Sequence, residues 1–491
     1  MRDLTLVIDI GKSNAKLLLV DRKGTVVERY SRANVSVMSP LGYLALDVQG
    51  LTQWMKSVLK ASALAMHCAR VIASTHGAAV VGLSDDGLAW DPLDYEFDPF
   101  AGSPSMADAF LAASDGFADT LSPDLPAGLN AARQLFWMQS THAPAWRATR
   151  CLVPYAQYWA WLLSGQVASE VSSLGCHTHL WLPQHGEFSA LASTMGWAAL
   201  FAPMRSAWEV LGTIDQRASD WSLPAHCEVH VGVHDSNACL ARYLNPQSVL
   251  ETQNRTTVVS SGTWTVLMAP GAPPASLVAR QDMLGNVDVT GRVTPTARFM
   301  GGREYDFLLD GAQADAIEVD SVQRIVMSRI YAMPAFSRQG GPFSGHRGHV
   351  EWEGRLLGGA PSQHLDASTR SALAAMYCAQ VTTWLIGRLW AQAEEIGNIE
   401  KPVASDTIIV DGPLSHNAVY LRVLQSLNPA RHCFASRDDL EGTARGAWLL
   451  ANWTTRQSAS YLAASVTKPI AGLDSYHATW LQKLAHGTTS V

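Results

Sequence analysis

LTLVIDIGKSNAKLLLVD, residues 4–21, reads as two β-rich runs joined by the polar turn GKSN, and TVVERYS at 25–31 adds a third run after RKG. Three short adjacent strands with turn-like joints predict an antiparallel meander opening a larger sheet. A similar unit returns about 250 residues later, where TTVVSSGTWTVLMA (256–269) is strand, Gly turn, strand. Two such units far apart in one chain suggest duplicated domains. Strand–turn–helix patterns accompany both: EVHVGVHDSNACLARYL at 228–244 and DTIIVDGPLSHNAVYLRVLQSL at 406–427.

Between these landmarks, helical periodicity is expected over 50–69, a buried strand in ARVIAST (69–75), and mostly helix from about 100 to 210. Trp137, Tyr155, Tyr158, Trp159 and Trp161 supply bulky contacts there. SALAAMYCAQVTTWLIGRLWAQA (371–393) is the most apolar long segment, but Gln380, Thr382, Thr383 and Arg388 interrupt it. It reads as a buried helix with Asp366 as N-cap and Gly397 just past its end, not as a membrane span. The N-terminal apolar run is broken by Asp9, Lys12 and Lys16 and lacks the apolar core of an export signal. A cytoplasmic location is therefore expected.

A chain of 491 residues exceeds one ordinary core, and a composition of 47% hydrophobic and 16% charged residues suits large interiors. A net charge of −7 argues against nucleic acid as the main partner, because a phosphate backbone demands excess Lys and Arg. The seven cysteines are scattered without a C-x-x-C pair, which excludes a zinc ribbon or thioredoxin motif and predicts reduced buried thiols. The domain boundary is expected near 243–252, dividing the chain into 1–245, 246–455 and a tail of 456–491.

Several residues could carry chemistry. GKS at Gly11–Ser13 fails as a P-loop, since the required upstream Gly is Leu6 and the following segment is a strand. What remains is Asp9 at a strand end beside a turn whose amides could meet phosphate, with the carboxylate holding Mg²⁺ through water. The turn at Gly262–Thr263 is its counterpart. Asp235, at the junction of a strand and a helix in GVHDSN, is either an N-cap or an active-site carboxylate. His226, His230 and His234 would lie roughly 13 Å apart between neighbours on a strand, too far for one zinc ion. His177 and His179 read as polar surface or cleft lining, and His76 with Gly77 could reach a polyhydroxylated ligand or be structural.

Together these motifs resemble the FGGY carbohydrate kinases. DIGKSNAKLLLVD is similar to the family's first phosphate motif, GVHDSNACL to its catalytic-Asp motif, and SSGTWTVL to its second phosphate motif in the rhamnulokinase and fuculokinase branches. STHGAAVV and PLDYEF occupy the places of substrate loops; LVPYAQYWAWLLSG, VDGPLSHN and EGTARGAWLLA complete the order from residue 7 to about 451.

The resemblance implies an α/β chain of two ribonuclease-H-like (actin/hexokinase superfamily) domains flanking a central cleft, with ATP, Mg²⁺ and a sugar as ligands. By the same resemblance Asp235 is the general base and Asp9 positions the metal. His76, Gly77, Asp94 and His234 then meet the sugar, which would be a deoxy-ketohexose or pentulose. Gly11, Lys12, Ser13, Gly262, Thr263, Gly301, Gly302, Gly412 and Asn417 would surround the nucleotide. Pro413 departs from the common second Gly after Asp-Gly and removes a backbone donor from that turn. The family's usual Gln or Trp-Asn-Asp sugar motifs are replaced by Thr75 and by Leu93-Asp94-Tyr95. Another actin-superfamily phosphotransferase and a non-catalytic sugar sensor stay open as alternatives, and a homodimer is an expectation. No membrane or nucleic-acid partner is expected.

Overall fold

In the computed structural model, described residues are 3–244, 255–313, 319–337, 340–343, 345–395, 406–437, 442–454, 462–464 and 469–486. The chain separates into two compact units, Met1–Val249 with Gly285–Val293 and Leu440–Ser458, and Leu250–Leu284 with Thr294–Asp439 and Ala459–Val491. Most of the expected boundary segment, from residue 245 on, lies outside the described residues, as does Gly397.

The first unit is organised by a seven-stranded sheet. Its meander is β1 (Leu4–Ile10), β2 (Asn14–Val20) and β3 (Val26–Ala33), and the further strands are β4 (Cys68–Thr75), β5 (Val210–Thr213), β6 (Glu228–His230) and β7 (Val233–His234). The order is β5-β6-β4-β1-β2-β3, with β7 also on β4. β1 is buried along its whole length, as expected of a central strand covered on both faces, whereas the edge strand β3 alternates half-buried and exposed. Leu6, Ile8, Leu17, Leu19, Val71 and Trp159 share one core cluster.

Helix α1 (Val48–Ala61) is capped by Asp47, whose carboxylate accepts from the Gly50 amide at 2.8 Å, and buries Val48, Leu51, Met55 and Leu59. Helix stops there; of the remaining stretch only Ala65–His67 is helical, as a 3₁₀ turn. The region 100–210 is also less helical than expected. Helices such as α2 (Tyr155–Ser164) and the one-turn α3 (Val171–Leu174) alternate with loops and two-residue strands.

The second unit repeats the pairing scheme in β8 (Thr256–Ser261), β9 (Thr265–Met268), β10 (Met283–Val287), β11 (Val293–Phe299), β12 (Thr407–Asp411), β13 (His432–Ser436) and β14 (Leu462–Ala464). Reading β3-β2-β1-β4-β6-β5 in the first sheet and β11-β9-β8-β12-β13-β14 in the second gives the same series. Two antiparallel pairs are followed by two parallel pairs and a final antiparallel one. The echo between 4–21 and 256–269 is thus an echo of topology. It is the actin/hexokinase-like α/β arrangement in duplicate.

α4 (Asp235–Ala241) follows β7, α5 (Gly301–Leu309) follows β11, α6 runs from Ala367 to Glu395, and α7 (Ala418–Leu427) follows β12. Asp366 caps α6 by accepting from the Thr369 amide at 2.7 Å. Among the described residues, no helix is long and apolar enough to cross a membrane.

Two C-terminal segments differ from the sequence division. Helix α8 (Gly442–Ala451), within 246–455, groups with the first unit. It packs on α4, Arg445 donates to the Gly24 carbonyl at 2.7 Å, and Trp453 stacks on Trp208 at 5.0 Å. The 456–491 stretch is not merely a tail. Its helix α9 (Leu473–His486) buries Trp480, whose Nε1 donates to the Ala332 carbonyl at 2.8 Å in the second unit.

A Cβ on Gly446 would lie 1.7 Å from the Ala238 carbonyl oxygen, so α8 and α4 meet backbone to backbone. Gly446→Val should therefore lower the melting temperature by several degrees, consistent with an overpacking cost of about 1–3 kcal/mol. The control is Gly387→Val in α6, where no atom stands within 4 Å of the added Cβ and φ is not positive. Scanning calorimetry of the two variants checks this; equal shifts would refute close helix contact as the reason for Gly446.

Candidate functional site

Parallel pairing aligns the carboxyl ends of neighbouring strands, and in α/β sheets ligands bind there. In the first unit Asp9 pairs with Ser74, Ile10 with Thr75, and Thr75 with His234. The residues that follow are the Gly11 turn, His76 and Asp235, so one sheet edge gathers three segments far apart in sequence. In the second unit Ser260 pairs with Asp411, which places the Gly262 turn beside Gly412.

At the first edge Asp9 is 7% exposed at the end of β1. The Gly11 turn closes through the Gly11 amide to the Asn14 carbonyl at 2.9 Å, and the Asn34 amide side chain donates to the Gly11 carbonyl at 2.8 Å. Ser13 is exposed. Lys12 departs from its expected place around phosphates. Its ammonium contacts the Asp94 carboxylate, lies 3.2 Å from Glu96, and sits 5.3 Å from the centre of the Tyr95 ring.

Asp94 is fully buried, and Ser36 Oγ and the Glu96 amide also donate to it. Burial alone would push its carboxyl up. The Lys12 ammonium and the Ser36 hydroxyl outweigh that and hold it below the ordinary value.

His76 lies between Tyr95 and Tyr155, with ring centres 5.2 and 5.3 Å away. Its Nδ1 is 2.9 Å from the Gly77 carbonyl, so Nδ1 carries the proton. Burial lowers its pKa, against the opposing pull of the Gly77 carbonyl, Asp235 and Asp94. The neutral ring leaves Nε2 as a buried acceptor with no partner among the described residues. Such an atom is costly unless a ligand donor meets it.

Asp235 is the first residue of α4, and its side chain is 30% exposed. Burial raises its pKa, moderated by His76 and the Ser236 amide. His234, expected by resemblance among the sugar contacts, is only 5% exposed, and its two ring nitrogens meet Cys176 Sγ at 3.6 Å and Asn237 Nδ2 at 3.1 Å. Gly77 has no side chain because a Cβ there would stand 2.9 Å from His234 Nε2.

The second unit carries a cavity of about 710 Å³. Gly262, Thr263, Gly301, Gly302, Pro413 and Asn417 are among its lining residues. Gly412 does not line it but makes the turn possible. Its φ is +76°, and a Cβ would fall 2.1 Å from the Ser261 carbonyl oxygen. Asn417 caps α7, its Oδ1 accepting from the Tyr420 amide at 2.9 Å while its Nδ2 donates to Tyr305 Oη at 3.0 Å.

Tyr305, Arg303 and His416 also line the cavity and were not singled out from sequence. The helical register of the segment opened by Gly301-Gly302 would have pointed to the first two. Ser36 and Tyr95, beside the Asp94 carboxylate and the His76 ring, were likewise missed as a group.

Among the described residues, no group of three or more His, Cys, Asp or Glu could hold a metal ion. That includes the three histidines, and His230 is engaged instead by the Trp208 carbonyl at 2.9 Å. A magnesium ion carried by a nucleotide needs less, because phosphates and waters fill most of its shell and one carboxylate suffices. Asp9 fits that demand.

Comparison with known proteins agrees with this geometry. Residues 253–459 match the family model "Carbohydrate kinase FGGY, C-terminal domain". The crystal structure of a carbohydrate kinase from Novosphingobium aromaticivorans is 31% identical, covers 99% of this chain and 100% of its own, and superposes with a TM-score of 0.84. An L-fuculokinase from Salmonella typhi is 24% identical over 284 residues, 54% of this chain and 56% of its own length, so the match spans little more than half of that relative. A ligand-bound xylulose kinase from Lactobacillus acidophilus shares the fold at TM-score 0.72, with 12% identity and 99% of both chains covered. The chain belongs to the FGGY carbohydrate kinase family of ATP-dependent sugar kinases.

The two turn glycines separate ligand needs from folding needs. A Cβ on Gly262 would meet only the Trp264 carbonyl at 3.6 Å, whereas one on Gly302 would stand 2.4 Å from the Gly262 carbonyl oxygen. Gly302→Ala should therefore lower the melting temperature, while Gly262→Ala should leave it within about one degree. If Gly262 presents its backbone to phosphate, Gly262→Ala should still weaken ATP binding several-fold by calorimetry. A variant that melts and binds ATP normally would remove Gly262 from the phosphate contacts.

Proposed function

We propose that this chain phosphorylates a hydroxyl of a ketose, a deoxy-ketohexose or pentulose such as L-fuculose or L-rhamnulose, with ATP as donor and Asp235 as general base. The observation that supports the reading is that Asp235 and His76 follow paired ends of parallel strands and feel each other's charge, while His76 Nε2 has no partner among the described residues. A carboxylate able to take a proton and an imidazole able only to accept a hydrogen bond suit a polyol. The relation to an L-fuculokinase supports the sugar class.

In this reading the sugar hydroxyl donates its proton to Asp235 as its oxygen attacks the γ-phosphorus, and the bond from that phosphorus to the β,γ-bridging oxygen breaks to release ADP. Phosphoryl transfer depends on positioning and charge neutralisation more than on covalent chemistry. Mg²⁺ bound with the nucleotide would neutralise the phosphate oxygens, and Asp9 is the residue to hold it through water. His76 Nε2 accepts from a second hydroxyl, and Asp94, kept ionised by Lys12, accepts from a third. The 710 Å³ cavity of the second unit takes the adenosine, with the amides of the Gly262 turn on the phosphates. In this reading the protein works where ATP is available, which suits the cytoplasm.

The test is a coupled ADP assay over L-fuculose, L-rhamnulose, D-xylulose and glycerol. A ketose should be the best acceptor; glycerol as best substrate, or no ADP with any acceptor, would overturn the reading in favour of another phosphotransferase or a sensor. Asp235→Asn should lower kcat by at least about a thousandfold while ATP binding stays within a few-fold, because the amide cannot accept the proton. His76→Ala should raise KM for the ketose far more than for ATP. Near-normal turnover by Asp235→Asn would remove that residue from the mechanism.

A further inference from the structure

We infer that Tyr305 reads the base of the nucleotide: its hydroxyl, oriented by Asn417, donates a hydrogen bond to a ring nitrogen of the purine. The inference rests on the reading that ATP occupies the cavity of the second unit.

The backbone fixes which group donates and which accepts. The Tyr420 amide can only donate, and it stands 2.9 Å from one terminal atom of the Asn417 side chain, so that atom is the oxygen. The other atom is then Nδ2, which can only donate, and it lies 3.0 Å from Tyr305 Oη. Tyr305 Oη is therefore the acceptor of this bond, and its own proton points away from Asn417. None of the described residues accepts that proton. Burial pushes the phenol up to about 12 against the pull of the Asn417 amide, so the proton stays on the oxygen at ordinary pH.

Place in the cavity decides what the hydroxyl can meet. Gly301 and Gly302 open α5, and the Gly302 amide donates to the Thr263 carbonyl at 3.2 Å, so the phosphate turn lies at the first turn of that helix. Tyr305 comes about one turn later, roughly 5 Å further along the axis. Tyr305 and Leu309, four residues apart, share a face of α5, and Pro413 and Leu414 also line the cavity. Apolar side chains suit a flat base, whereas phosphates need the amides of the turn. At the edge of adenine, N1, N3 and N7 are all acceptors, and a fixed donor is what they lack.

Both partners are held from behind by the same helix, α6. Glu304, buried beside Tyr305 in the sequence, accepts from the Tyr377 hydroxyl. Tyr420, whose amide fixes Asn417, is fully buried and donates its hydroxyl to Thr382 Oγ1 at 3.1 Å. The donor is thus set before a ligand arrives, which lowers the cost of binding.

Calorimetry on the full-length protein tests the contact without turnover. The wild type should bind one of 1-deaza-, 3-deaza- and 7-deaza-ATP about fivefold to tenfold more weakly than ATP. Tyr305→Phe should weaken ATP by a similar factor and bind that same analogue no worse than ATP. All three analogues binding the wild type as tightly as ATP, or a loss that persists in Tyr305→Phe, would overturn the inference. Coupling of Tyr305→Phe to 2′-deoxy- or 3′-deoxy-ATP instead would move the contact to the ribose and overturn the assignment to the base.

Asn417→Asp tests the orientation. The carboxylate still caps α7, so the melting temperature should hold, but its second oxygen accepts and draws the Tyr305 proton towards itself. ATP should bind several-fold more weakly, and the same substitution should cost much less in Tyr305→Phe. Equal losses in both backgrounds would leave only charge repulsion and remove Asn417 as a positioning residue. Normal ATP binding by Tyr305→Phe while Gly262→Ala weakens it would sink the Tyr305 contact alone; normal binding by both would sink the placing of ATP in this cavity.

Discussion

The candidate site of the first unit hangs on the parallel register of β1, β4 and β7. Hydrogen bonds between these strands fix Asp9 level with Ser74 and Val233, and Ile10 level with Thr75 and His234. A one-residue slip would move every side chain to the opposite face and bury Asp9 and its partners in the wrong layer. Register is secured from below by apolar side chains such as Leu6, Ile8, Val71 and Ala73, each essentially out of water. Packing far from the chemistry thus sets the geometry of the chemistry. The second unit uses the same device, β8 beside β12, to hold its Gly262 and Gly412 turns side by side.

The two edges differ in how they are finished. The first ends in ionisable groups in a partly desolvated pocket, where burial and neighbours set each protonation state separately: Asp94 down, His76 neutral, Asp235 up. The second ends in turns with little side chain and a cavity beside them. Charge chemistry and backbone recognition are divided between the two halves, as suits a reaction that moves one phosphoryl group between an alcohol and a polyphosphate.

Much of this was legible in the residues. The meander, its repetition and the strand–Asp–helix joint at 235 follow from period and punctuation, which are local. Lys12 is expected around the phosphates by resemblance of its motif, whereas its side chain reaches Asp94, 82 residues away. No local pattern reveals an ion pair of that separation. His234 reads as a polar neighbour of the base until Asn237 and Cys176 are seen on its ring. Helix α8 shows the same limit: its sequence is an ordinary amphipathic turn, and only the approach of Gly446 to Ala238 reveals which sheet it serves.

That placement of α8 has a bearing on how the protein is made. The helix that begins with Asp235 is complete in sequence before the middle of the chain, but the surface against which it packs arrives only with residues 442–451. During synthesis the Ala238 face must wait, uncovered, while some two hundred further residues emerge. Residues 442–451 then close the first unit. A polypeptide truncated before that point would have its strands and its candidate base but not the helix that backs them, so the candidate site depends on a segment made some two hundred residues later.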